Sequence, residues 1–219
     1  MLIQVISLFP NVFTEYLGTS MMLKATKNNL VNFEFINLRD FGLGPRLQVD
    51  DYPYGGGDGM LLMVEPLYRA ILKAKKKDPT ALVVLPSPRG ELYNQTKASK
   101  YALNQGGLIL VCPHYEGYDE RIVKWVDELV CVGQYVLTGG ELPALCIIDS
   151  VVRLIPGVLG GETSVINESF SQDLSFIEHP QYTRPEVFKG LSVPKVLISG
   201  HHQNIQSWRE DSSTSINNS

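Results

Sequence analysis

The sequence predicts an α/β fold, with a largely parallel sheet and helices on both of its faces. Residues 81–85 and 108–112 are short, almost wholly apolar runs, as strands buried on both sides require. Stretches with apolar residues every three or four positions lie between such runs, as helical crossovers between parallel strands would. Loops rich in glycine and proline follow the runs, at the sheet edge where α/β proteins commonly hold ligands.

Taken in order, residues 2–9 form a first strand stopped by Pro10, and residues 12–28 a helix interrupted at Gly18. Residues 31–36 alternate with period two and give a second strand. Residues 38–64 are a long connection with little periodicity, a length that is unusual unless it serves a function. A helix opens near Pro66 and ends at Lys75, Lys76 and Lys77, cations suited to a helix C-terminus. After the strand at 81–85 come a helix over 93–105, the strand at 108–112 and a short helix over 119–128. Strand material follows at 129–132 and 135–138. Residues 141–155 form a helix on which Leu142, Leu145, Ile148, Val152 and Ile155 recur. Beyond Pro156 a glycine-rich linker runs to about residue 176. Residues 194–198 suggest a last strand, followed by a short helix to Trp208 and a Ser/Asn-rich tail too poor in apolar residues to fold alone.

With 44% apolar and 19% charged residues, the 219-residue chain reads as soluble and globular. No apolar run approaches the roughly 20 residues that span a bilayer, and the first nine residues lack the basic flank of a secretory signal. Cys112, Cys131 and Cys146 form no CxxC pair and read as buried free thiols of a reducing cytoplasm. The net charge of −4 argues against a surface coated for nucleic acid but leaves room for a local basic patch. Phosphate-loop and dinucleotide-binding glycine patterns are missing, and no His/Cys/carboxylate set has zinc spacing.

What remains follows the strand ends. Pro86-Ser-Pro-Arg-Gly90, Pro113-His-Tyr-Glu-Gly117 and Val132-Gly-Gln-Tyr-Val-Leu-Thr-Gly-Gly140 are three loops that parallel neighbouring strands would bring to one edge. Each alone also suits a structural turn; together they favour a ligand pocket. Exposed backbone groups there can read an adenine edge. Arg153, in an apolar stretch, requires a carboxylate, phosphate or water, and Asp149 one helical turn earlier is a candidate partner. Glu168 follows the flexible segment, either as a solvated carboxylate or as a base that arrives with substrate.

Five stretches together are specific: residues 50–60 (DDYPYGGGDGM), 114–121 (HYEGYDER), 133–143 (GQYVLTGGELP), 148–159 (IDSVVRLIPGVL) and 179–185 (HPQYTRP). They resemble the bacterial tRNA (guanine-N1)-methyltransferases of the SPOUT superfamily, in the same order, from about residue 1 to 209. The resemblance implies a SPOUT-type sheet with a deep C-terminal trefoil knot threaded between about residues 85 and 160, an exception to ordinary connection rules. It implies S-adenosylmethionine held by Leu85, Pro86, Ser87 and Pro88, by Pro113, Tyr115 and Glu116, and by Val132, Gly133, Tyr135, Leu137, Gly139, Gly140 and Pro143. The substrate would be the tRNA anticodon stem-loop, methylated at N1 of guanosine 37 when guanosine 36 precedes it. Asp50, Gly55, Gly59 and His114 would receive the guanine, Glu168 would take its proton, and Arg153 would stabilise charge on it. The family is further associated with Mg2+, a homodimer with shared active sites, and the cytoplasm.

The resemblance divides the chain into a methyltransferase domain (1–160), a flexible active-site linker (161–176), the start of a C-terminal region (177–209) and a disordered tail (210–219), with the family's tRNA-binding domain largely absent. Three positions depart from the pattern. Glu168 replaces an aspartate, Pro113 a glycine and Gln134 an aspartate. The first adds a methylene to the base; the second removes an N–H beside the cofactor. Two other readings fit the residues. One is a SPOUT-fold RNA-binding or cofactor-binding module with little turnover. The other is a small-molecule enzyme using Arg153 and Glu168 on an acidic metabolite.

Overall fold

A computed structural model describes residues 1–160, 168–171 and 173–215. Half of the linker expected over 161–176 therefore lies outside the described residues, as does the end of the tail. The chain divides into two compact units, Met1–Gly160 and Gly161–Ser219.

The first unit is built on five parallel strands in the order β2-β1-β6-β5-β7. These are β1 (Leu2–Ser7), β2 (Asn32–Asn37), β5 (Leu82–Leu92), β6 (Leu108–Val111) and β7 (Glu128–Cys131). Successive side chains point to opposite faces of a strand, and the buried strands use both. Ile3, Val5, Leu108, Leu110 and Val84 join one apolar cluster, while Ile6, Ile109, Val111, Val83 and Leu85 join the other. The first cluster is covered by α1 (Asn11–Leu17), α2 (Ser20–Lys27), α4 (Gln95–Ala102) and α5 (Glu141–Val152), through residues such as Phe13, Met22, Tyr101 and Ile148. The second is covered by α3 (Val64–Lys77), through Leu67, Ala70, Ile71 and Ala74. Helices thus lie on both faces, as the continuous apolar strands predict. Gln4, a polar residue in β1, is buried and its amide donates to the Ala74 carbonyl at 3.1 Å.

Several elements differ from the sequence expectation. β5 does not stop at residue 85. Its ladder with β7 breaks after the Pro86–Val130 pair and resumes at Glu91, so residues 87–90 bulge outward. Pro86 and Pro88 offer no N–H to a ladder. Gly90 re-enters where a Cβ would lie 2.3 Å from the Val130 nitrogen. The expected helix over 119–128 is a 3-10 turn, Glu120–Trp125, capped by the Asp119 carboxylate, which accepts from the Arg121 N–H at 2.9 Å. Residues 135–138 form no strand; Val136 stands almost fully open to solvent there. The thiols are free, but only Cys112 is buried, and Cys146 is exposed on α5.

The long connection contains a small antiparallel pair, β3 (Asp50–Asp51) with β4 (Leu61–Leu62), which presents the glycine-rich residues 55–59 at its tip. Of the lysines that end α3, Lys75 donates to the Ala81 carbonyl at 2.7 Å and Lys77 pairs with Glu34.

In the second unit, β8 (Phe176–Ile177) pairs with β11 (Thr214–Ser215), and β9 (Val187–Phe188) with β10 (Leu191–Ser192). The run expected as a strand at 194–198 is instead a 3-10 turn, Lys195–Ile198, in which the Leu197 N–H bonds the Pro194 carbonyl at 3.0 Å. α6 (His202–Ser212) extends past Trp208, whose ring lies near His179 and Tyr182. The described start of the tail is thereby held in a helix and a strand pair rather than free.

The edge strand β7 is tied to α4 by a charge cluster. Glu128 accepts from Lys97 at 3.1 Å and from the Tyr101 hydroxyl at 2.8 Å, with Lys100 on its other oxygen. Burial alone would raise the Glu128 pKa, but the hydrogen bonds from Lys100, Tyr101 and Lys97 outweigh it and hold the carboxyl at about 2, against an ordinary 4.5. A depressed folded-state pKa stabilises the fold above the unfolded value, so this contribution is complete above about pH 4.5 and disappears as pH falls toward 2. Glu128→Gln is expected to cost about 1–3 kcal/mol at neutral pH and to flatten the acid limb of stability measured by urea unfolding.

Candidate active site

The bulge within β5 and the segments that follow β6 and β7 meet around a cavity of about 360 Å³, within the size range of small-molecule sites. Pro86, Ser87 and Pro88 come from the β5 bulge, Pro113 to Tyr118 from the loop after β6, and Val132, Gly133, Tyr135, Val136, Leu137, Gly139 and Gly140 from the segment before α5, with Pro143 on α5 itself. The sequence expectation that these loops share one edge therefore holds. Of the residues expected at the cofactor, Leu85 alone does not line the cavity. It is completely buried one residue below, packed in the second core cluster.

The walls are joined by short backbone contacts. The Gly140 N–H donates to the Pro113 carbonyl at 2.7 Å, and a Cβ on Gly140 would stand 2.3 Å from Pro113 Cδ and 2.7 Å from Cys112 Cα. Gly140 has φ −83°, a conformation open to any residue, so space and not dihedral freedom demands glycine here. The Tyr118 hydroxyl donates to Ser87 Oγ at 3.1 Å and ties the β5 bulge to the loop after β6. Arg89 and Glu120, ion-paired at 2.8 Å, lie at the rim.

The glycine-rich tip reaches the same region. The Glu116 N–H bonds the Met60 carbonyl at 3.1 Å, the Leu62 N–H bonds the Gly117 carbonyl at 2.9 Å, and the Asp119 N–H bonds the Leu62 carbonyl at 2.9 Å. Gly59, with φ +81°, passes so close to Glu116 that a Cβ would fall 2.4 Å from its Cγ. Asp50 sits half-buried in β3, and Gly55 is exposed, with open space where a Cβ would project. Neither lines the cavity. His114 does, packed edge-on against Phe9 and Tyr115 with ring centroids 5.0 and 5.1 Å away.

Arg153 follows the last turn of α5, half-buried, with its N–H on the Asp149 carbonyl at 3.3 Å. The Asp149 side chain accepts from the Tyr16 hydroxyl. That hydrogen bond is the main cause, ahead of burial, of the rise in the Tyr16 pKa to about 12. Glu168 belongs to the second unit, where its carbonyl accepts from the Ser171 N–H at 3.1 Å and from the Ser171 hydroxyl. Among the described residues no group of three or more His, Cys, Asp or Glu side chains is gathered to hold a metal ion.

Arg89, named in the sequence only as part of the Pro86–Gly90 loop, lines the cavity, as do Tyr118, Glu120 and Cys131, none of which was expected at the cofactor. Tyr118 and Glu120 lie inside the conspicuous 114–121 stretch and were within reach; Cys131 carries no signal of its own.

The chain is similar to known proteins over most of its length. The family model described as tRNA (Guanine-1)-methyltransferase TrmD matches residues 1–218. A tRNA (guanine-N(1)-)-methyltransferase of Halalkalibacterium halodurans is 49% identical over 216 residues, covering 97% of this chain and 86% of that protein. Its counterpart in Clostridium botulinum is 47% identical over 209 residues, covering 95% and 86%. Among solved structures, the tRNA (m1G37) methyltransferase from Aquifex aeolicus superposes with a TM-score of 0.79 at 35% identity, covering 95% of this chain and 87% of that one.

The steric argument at Gly140 is directly testable. Gly140→Val is expected to abolish measurable S-adenosylmethionine binding in calorimetry, because the added side chain displaces the Pro113 loop that forms one wall. Unchanged affinity in a folded variant would refute the assignment.

Proposed function

Since this chain belongs to the tRNA (guanine-1)-methyltransferase TrmD family, we propose that it methylates N1 of guanosine 37 in tRNA that carries guanosine at position 36. The observation that carries the reading is the convergence of three strand-end loops on one cavity whose walls are largely proline, glycine and apolar side chains. Such walls suit a flat purine and a thioether chain, and the missing Cβ atoms of Gly139 and Gly140 let the segment before α5 close against the loop after β6 to form the cavity. S-adenosylmethionine supplies the methyl group, already activated on a sulfonium sulfur.

Neutral guanine has a hydrogen on N1, so that nitrogen has no free in-plane lone pair. Glu168 takes this proton as N1 bonds to the methyl carbon and the carbon–sulfur bond breaks. The glutamate keeps the carboxylate of the family's aspartate and adds one methylene of reach. Arg153 offers its cationic fork to the negative charge that develops on guanine O6. Asp50, Gly55 and Gly59, on the β3–β4 hairpin, and His114, on the cavity wall, receive the base. The same reading includes a homodimer with shared active sites. Tyr52 and Tyr54 beside the glycines are exposed aromatic rings of the kind that interfaces cover. It also includes the trefoil crossing among residues 85–160 and a cytoplasmic location. No described helix is long and apolar enough to cross a membrane.

Incubation with tRNA and S-adenosylmethionine, followed by nucleoside analysis, is expected to yield N1-methylguanosine, and to yield none when guanosine 36 is replaced. Absence of the product from the native substrate would overturn the reading. Arg153→Ala is expected to lower kcat about a hundredfold or more with little effect on cofactor affinity. Glu168→Gln is expected to lose about 10²–10⁴-fold in single-turnover rate, whereas Glu168→Asp retains turnover.

A further inference from the structure

Behind the cavity wall runs a buried polar chain. The Phe9 N–H donates to Ser7 Oγ at 2.8 Å, and the Ser7 hydroxyl donates to Glu141 Oε1 at 2.8 Å. Glu141 is only 8% exposed and is the first residue of α5, where the helix dipole favours a carboxylate. Its second oxygen, Oε2, lies 3.8 Å from His114 Nδ1. That nitrogen is buried and, among the described residues, has no hydrogen-bond partner. A buried ring nitrogen left unpaired is unfavourable by about 1–3 kcal/mol, and the Glu141 carboxylate is the acceptor nearest to it. Gly139 makes the approach possible: a Cβ there would stand 2.4 Å from Glu141 Oε2 and 2.6 Å from His114 Nδ1, wedged between the two.

We propose that Glu141, anchored by Ser7, is a positioning residue that keeps a hydrogen on His114 Nδ1 and fixes the imidazole plane, so that its Nε2 edge meets the bound ligand. The hydrogen bond made by one ring nitrogen sets the tautomer at the other. With Nδ1 donating to Glu141, Nε2 of the neutral ring is an acceptor, complementary to a ligand N–H. Both the guanine amine and the ammonium of the methionyl tail carry such donors. The identity of the ligand rests on the methyl-transfer reading; the tautomer does not.

Nitrogen-15 NMR of the imidazoles, with His114 assigned by His114→Asn, tests the arrangement in the unliganded protein. The wild type is expected to carry its hydrogen on Nδ1. Glu141→Ala and Gly139→Ala lose that preference, while Glu141→Gln, whose amide carbonyl still accepts, retains it. Titration with S-adenosylhomocysteine alone, or with the anticodon stem-loop alone, shows which ligand moves the Nε2 resonance. In methylation assays Glu141→Ala is expected to lower kcat/KM about ten- to a hundredfold, with Glu141→Gln restoring most of it. A wild-type hydrogen on Nε2, or a tautomer unchanged in both Glu141→Ala and Gly139→Ala, overturns the proposal. Lack of methylation by the wild type itself would defeat the methyl-transfer reading and leave the tautomer to decide this one.

Discussion

The contact on which the site depends is the approach of α5 to the exit of β6. The Gly140 N–H meets the Pro113 carbonyl at 2.7 Å, and no room is left for a Cβ against Cys112 and Pro113. Backbone approaching backbone this closely fixes where the helix begins. It thereby sets the position of the Val132–Gly140 wall relative to the loop after β6. A side chain at residue 140 would hold the two apart, and the cavity would lose one side.

Around that contact, each wall is anchored by a different element. The β5 bulge forms because two prolines interrupt a ladder that resumes at Glu91, and the Tyr118–Ser87 hydrogen bond holds it against the second loop. The β3–β4 hairpin is tied to that same loop through Met60 and Leu62. The sheet beneath supplies rigidity, since its central strands are buried on both faces. Loops on a rigid scaffold are the usual carriers of binding chemistry, and here a bulge in β5 and the segments after β6 and β7 converge because the three strands are parallel neighbours.

Much of this was legible in the residues. Continuous apolar runs at β5 and β6 imply burial on both faces, which implies a parallel sheet and a shared carboxyl edge. Boundaries set by partners were less legible. The run Pro194 to Ile198 has a strand's composition but forms a 3-10 turn, since strand pairing in the second unit falls to other segments. Val136 has strand propensity too, yet projects into solvent beyond the sheet edge. Leu85 illustrates the limit at the site itself. Its neighbour Pro86 lines the cavity, while the pleat turns Leu85 into the core, a one-residue difference that only the sheet's register decides.

By itself the sequence determined the fold class, the three segments that line the cavity and the family, because periodicity and motif spacing are local properties of the chain. The tertiary structure decided which residues face the cavity and which back it. Glu141 looked like an ordinary first residue of a helix, and Ser7 like one more residue of the first strand. The two meet although 134 positions separate them, and His114 approaches the same carboxylate across a bare Gly139. No short-range pattern encodes such a meeting; it exists only once β1, β6 and α5 are packed.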